Sequence, residues 1–161
     1  MLVGAFATLH DNPAVREFWE AVVSTLTDPI APHLVREFQQ STLAQPVPPA
    51  FFETVVNESL KVPARVWQAT FATFLQEDWS RDLAKITAPA LIVWGNQDAF
   101  CPRSDQDLLL AAIPDSQLLV YSGAGHDPHW EEPMRFAVDV VRFIEHRVIP
   151  RAEKNWQATR K

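Results

Sequence analysis

Ala88-Pro89-Ala90-Leu91-Ile92-Val93-Trp94-Gly95-Asn96-Gln97-Asp98 is the stretch on which the fold turns. Residues 90–94 are apolar without interruption, the pattern of a strand buried on both faces of a parallel sheet, and the run stops at a glycine followed by polar loop residues. Downstream, a helix is expected from about Ser104 to Ile113. A second strand, Gln117 to Tyr121, then ends at Ser122-Gly123-Ala124-Gly125-His126. Strand, helix, strand is a parallel crossover unit. Glu131-Glu132-Pro133 places negative charge and a proline at the start of one more helix. Its Phe136, Val140, Phe143 and Ile144 form an apolar stripe expected to pack on the sheet.

Upstream, Leu2-Val3-Gly4-Ala5-Phe6-Ala7 is a short apolar run read as another buried strand. Asn12 offers an N-cap with Pro13 at the first helical position, and Val15, Phe18, Trp19, Val22, Val23 and Leu26 follow at helical spacing. From Asp28 to Leu83 come helical pieces punctuated by proline: His33–Gln40, Phe51–Leu60 and Ala64–Gln76, with Gln45 to Pro49 as a loop and Pro63 at a helix start. The expected class is α/β, with about three parallel strands, flanking helices and a helical insertion. Residues 1–10 hold a core strand, 11–82 a helical lid or cap, 83–149 the rest of the core, and 150–161 a frayed polar tail.

A chain of 161 residues with net charge −6 and pI near 5.3 is ill suited to binding nucleic acid, because that affinity rests on clustered Lys and Arg. No stretch is apolar enough to span a membrane and no basic leader follows Met1, so a cytoplasmic location is expected. Cys101 is the single cysteine, which excludes an intrachain disulfide and a multi-cysteine zinc site. Six tryptophans and ten phenylalanines against four glycines concentrate ring area between residues 18 and 79, the composition of a lid or pocket wall. Trp19, Trp67, Phe71, Phe74 and Trp79 are candidates to line an apolar pocket, although rings at helical spacing are first of all core.

Asp98 and His126 each stand just past the carboxyl end of an expected strand, where open α/β sheets bind ligands. Either residue alone is ordinary loop vocabulary. Together, on neighbouring strands, they form a base and its orienter: a carboxylate fixes the imidazole tautomer, and the imidazole takes a proton from a nucleophile. A competing reading makes His126, Asp127 and His129 a metal cluster through His-x-x-His spacing, but Pro128 disfavours a regular helix there. No cofactor and no metal are expected.

The stretch from Ala88 to Asp98 with Pro102, and Gly123-Ala124-Gly125-His126 running on to Pro128-His129-Trp130-Glu131-Glu132-Pro133 and Phe136, resembles the acid- and histidine-bearing segments of the α/β-hydrolase family. The resemblance covers residues 83–147 by motif and 2–80 only by layout. It implies that Asp98 orients His126, which activates a serine or a water. His129 is then assigned to packing or the pocket rim, and Asp11 stays as a minor alternative acid because some relatives place the acid after an earlier strand.

That family also needs a Gly-x-Ser-x-Gly elbow and oxyanion donors from an earlier loop. No serine here has glycines at that spacing, and Cys101 sits in a loop rather than at an elbow, so it is rejected as nucleophile. The resemblance implies that the elbow precedes this segment, so the expectation is a truncated or split hydrolase of a small apolar ester or similar acyl substrate. Its partner would be the missing N-terminal half, or another copy through an exposed sheet edge. Ester hydrolysis, carbon–carbon hydrolysis, haloperoxidation, epoxide opening and dehalogenation stay open. So does a non-catalytic fragment or interaction module in which Asp98 and His126 are relics.

Overall fold

The computed structural model describes residues 1–150; the expected tail beyond Pro150 lies outside the described residues. Three parallel strands form one sheet: β1 (Leu2–Val3), β2 (Ala90–Gly95) and β3 (Ser116–Tyr121), in the order β1-β2-β3. Leu2 pairs with Ile92, and β2 and β3 run in register from Ala90–Ser116 to Gly95–Tyr121. Helix α5 (Arg103–Ala112) makes the crossover between β2 and β3.

Every residue of β2 is buried, because both of its faces are covered. Ala90 and Ile92 pack with Leu109 and Ile113 of the crossover and with Leu83 and Ala7. Leu91 and Val93 point to the opposite face, where Tyr121 and Ala124 meet Phe136, Val140 and Phe143 of α7 (Pro133–Phe143), the seventh helix in chain order. The unbroken apolar run is thus the consequence of period-two alternation between two covered faces. The stripe on α7 is one residue shorter than its sequence suggests, since Ile144 is 43% exposed and lies in a π-type turn, Ile144–Val148.

Between β1 and β2 the chain forms four helices: α1 (Pro13–Ala21), α2 (Pro32–Ser41), α3 (Pro49–Ser59) and α4 (Ala64–Phe74). Asn12 caps α1 by accepting from the Val15 amide, and prolines occupy the first helical position of α1, α2 and α3. Aromatic packing joins these helices. Phe18, Phe38, Trp67, Phe71 and Phe74 surround buried Val15 and Val23, with Phe18 stacked on Phe38 at 5.3 Å. A second cluster, Ile30, Val35, Val56 and Ala64, holds α2, α3 and α4 together. Among the described residues, no helix is long and apolar enough to cross a membrane.

The first strand differs from expectation. It ends at Val3 rather than Ala7, because Gly4 adopts φ 51°, a left-handed conformation that interrupts extended backbone. The chain turns there toward the aromatic cluster, and Phe6 packs edge-on against Phe74.

Candidate active site

Asp98 sits in the loop that follows β2, and its carboxylate is held at both oxygens. Oδ1 accepts from the Phe100 and Cys101 amides at 2.8 and 3.0 Å, while Oδ2 accepts from His126 Nδ1 at 2.9 Å. The loop itself is fastened by Trp94 Nε1 donating to the Cys101 carbonyl and by Asn12 Nδ2 donating to the Phe100 carbonyl. The Asp98 side chain is wholly shielded from solvent and that of His126 is 28% exposed.

His126 ends the loop after β3, which lies directly against the loop after β2. The Asn96 amide donates to Tyr121, Gln97 to Ala124, and Gly123 to Asn96 Oδ1. A Cβ on Gly95 would fall 2.1 Å from the Gly125 carbonyl oxygen, so the two loops touch backbone to backbone. The His126 amide donates to the Thr42 carbonyl at 2.8 Å.

A carboxylate can only accept, so the proton of the Asp98–His126 bond resides on Nδ1 and neutral His126 presents Nε2 as an acceptor. Nε2 has no hydrogen-bond partner among the described residues. Burial pushes the imidazole pKa down, but the hydrogen bond and charge of Asp98, with the charge of Asp127, outweigh it and hold His126 above its ordinary value.

Beside His126 lies an apolar cavity of about 80 Å³, walled by Phe6, Leu9, Val15, Phe38, Phe71 and Phe74, with Thr42, Phe100 and Cys101 toward the histidine. Of the aromatic candidates, Phe71 and Phe74 reach it. Trp19 packs in the cluster, Trp67 lines a separate cleft with Phe18 and Val35, and Trp79 leans on Phe6 and is 37% exposed. Sequence reading missed Phe6, Phe38, Phe100 and Gly4 as neighbours of the site. The first three carry no local motif, and only the odd glycine in an apolar run hinted at the fourth.

The remaining candidates fall elsewhere. Asp11 is almost fully exposed and faces His10. His129 lies between Trp130 and Phe136 with Nδ1 buried and unpartnered; burial lowers its pKa, Asp127 raises it, and His126 lowers it further. His126, Asp127 and His129 do not converge. Among the described residues, the one set of three possible ligand atoms within 4.8 Å is Asp98, Cys101 and His126. That set is poor for a metal: the Cys101 thiol is buried, directed at the Gly4 carbonyl, and pushed far up by burial and by Asp98 and Asp105, so it stays protonated. The same facts deny it a nucleophilic role.

A family model for the alpha/beta hydrolase fold matches residues 20–133. The chain belongs to the α/β-hydrolase family. A 2-hydroxy-6-oxononadienedioate/2-hydroxy-6-oxononatrienedioate hydrolase of Pseudomonas putida is 44% identical over 69 residues, 43% of this chain and 24% of that protein. A protein of the same name from Klebsiella pneumoniae is 40% identical over 67 residues, 42% of this chain and 23% of that protein. The aligned stretch thus spans about a quarter of these curated relatives. Among solved structures, an esterase from Exiguobacterium antarcticum superposes with TM-score 0.70 at 22% identity, covering 82% of this family member and 47% of the esterase. A bromoperoxidase from Bacillus anthracis gives TM-score 0.71 at 21% identity, covering 83% of this chain and 49% of that one. At such identities the likeness is one of fold, and it extends over about half of each neighbour.

Proposed function

We propose that this chain supplies the histidine base and its orienting acid to a hydrolase acting on small apolar esters or similar acyl compounds. The observation that carries the reading is the 2.9 Å bond from His126 Nδ1 to a shielded, doubly amide-bonded Asp98, with Nε2 left free beside an apolar cavity. In this reading His126 Nε2 takes a proton from an attacking hydroxyl or water and later returns it to the leaving group, while Asp98 stabilises the imidazolium. The nucleophile comes from polypeptide outside these residues, since the sequence holds no Gly-x-Ser-x-Gly. The helical segment between β1 and β2 serves as lid and cavity wall, and the outer edge of β1 is a place for further strands to pair.

Hydrolysis of an oxo-dienedioate, the compound class in the names of the curated relatives, is a second reading. A dienedioate carries two carboxylates, however, and the cavity wall has no side-chain cation to receive one other than His126 itself. Uncharged acyl groups fit that wall better.

Turnover of p-nitrophenyl acetate and butyrate by the purified chain, with His126→Ala as control, tests the reading. The expected result is no His126-dependent turnover by the chain alone, and turnover that requires His126 once a polypeptide bearing the family's early strands and elbow is added. His126-dependent turnover by the chain alone would place the nucleophile inside it. A reconstituted hydrolase indifferent to His126→Ala would remove the base from this residue.

A further inference from the structure

Two direct hydrogen bonds, and one carboxylate that accepts from both sides, join the turn after α2 to the loop that carries His126. Glu131 Oε1 accepts from the Gly125 amide at 2.8 Å, and its Oε2 accepts from the Gln45 amide at 2.7 Å. On either side of this pair, the His126 amide donates to Thr42 and Gln45 Nε2 donates to the Gly123 carbonyl at 3.1 Å. Glu131 is the last residue of α6 (Pro128–Glu131) and takes no part in the proton transfer described above.

The fit around Gly125 shows how closely this joint is made. A Cβ there would lie 2.6 Å from the Thr42 oxygen, 2.7 Å from the Ala44 nitrogen and 3.1 Å from Glu131 Oε1. The turn and the loop therefore meet through backbone, with Glu131 receiving amides from both. A carboxylate, with acceptors on both oxygens, can serve two donors converging from different segments. Glu132, the next residue, instead pairs with exposed Arg135. Thr42 belongs to both sides of the joint, since it lines the apolar cavity and accepts from the His126 amide.

We propose that Glu131 is a positioning residue for His126: it locks the Thr42–Gln45 turn and the Gly123–His126 loop into one unit, so that the cavity wall and the histidine hold their places together. The inference rests on the reading of His126 as the base, but its test requires no turnover. In Glu131→Gln the side-chain amide turns an N–H toward one of the two backbone donors, and one arm of the clamp is lost. The other ionisable groups near the imidazole, Asp98, Asp127 and His129, stay in place in this variant.

NMR of the chain provides the test. In the wild type, the His126 Nδ1 proton is expected as a resolved low-field resonance, and the Gln45, Gly125 and His126 amides are expected to exchange slowly as a group. Glu131→Gln is expected to broaden the Nδ1 proton and to speed exchange at the Gly125 and His126 amides by about tenfold or more, one decade of local opening. Glu132→Gln, which removes the same charge one residue away, is expected to leave both unchanged. A folded Glu131→Gln protein that keeps the wild-type Nδ1 resonance and amide protection overturns the proposal. Should that variant not fold, wild-type exchange decides: free exchange at the Gln45 and Gly125 amides overturns the clamp, and joint protection with His126 supports it. Failure of ester hydrolysis would bear on the proposed function and not on these signals.

Discussion

Gly4 lies so close to His126 that a Cβ on it would come within 2.6 Å of the His126 carbonyl oxygen and 2.9 Å of ring atoms Nδ1 and Cε1. Its φ of 51° also lies in the region that side-chain-bearing residues avoid. Gly4 therefore ends β1 and forms one wall of the histidine's seat. Gly4→Ala is expected to cost at least about 1–2 kcal/mol from backbone conformation alone, with the clash added to it. It should also displace the imidazole from Asp98. Urea denaturation together with the His126 Nδ1–H signal checks both effects, and a variant of wild-type stability with an intact signal would refute this role.

The two histidines of the His-x-x-His stretch are expected to titrate in opposite directions from 6.5: His126 above it and His129 below it. A raised folded-state pKa means that His126 contributes stability fully present below its unfolded value and lost as pH rises through its folded value. For His129 the sign reverses: its contribution is present above the unfolded value and is lost as pH falls through the lowered folded one. Stability differences against His126→Gln should thus shrink on going upward from pH 6.5, and those against His129→Gln should shrink on going downward. Proton titration of each ring, assigned through these variants, provides the check.

The long stretches of the core were legible because burial dictates composition: β2 is apolar throughout since both faces are covered, and β3 could be placed within one residue. The proximity of Asp98 and His126 was legible for the same reason, as parallel neighbouring strands bring their carboxyl ends to one rim. The cavity wall was legible only in Phe71 and Phe74. Phe6 and Phe38 reach it only because Gly4 turns the chain and because α2 docks on α1 and α4, and no sequence period encodes either event. Ile144 continues the α7 stripe in spacing but faces solvent, because the helix widens into a π-type turn at that point.

Cys101 is expected to behave as a structural thiol. It is buried, directs Sγ at the Gly4 carbonyl, and is held protonated by burial and by neighbouring carboxylates. Reaction with a thiol-specific disulfide reagent at pH 8 should therefore be slower than in the urea-unfolded chain by about a hundredfold or more, tracking local opening rather than thiolate chemistry. Reaction at the rate of the unfolded chain would show the site to be open and would return Cys101 to consideration as a reactive group.

Asp98→Asn separates the orienting role from packing most sharply. The amide oxygen still accepts from Phe100 and Cys101, but the group facing His126 becomes an N–H donor or is lost to solvent. Nδ1 must then give up its proton, and Nε2, which should accept from a nucleophile, carries it instead. The His126 pKa should fall, since the Asp98 hydrogen bond and charge are its chief upward influences. In a reconstituted hydrolase kcat should drop by about 10⁴, the size of the loss seen when the acid of a Ser-His-Asp triad is replaced in this way. KM should change little, because the Asp98 side chain is wholly shielded from solvent and does not line the cavity. A loss confined to KM would instead mean that Asp98 shapes the cavity, and unchanged kcat would sink the acid assignment.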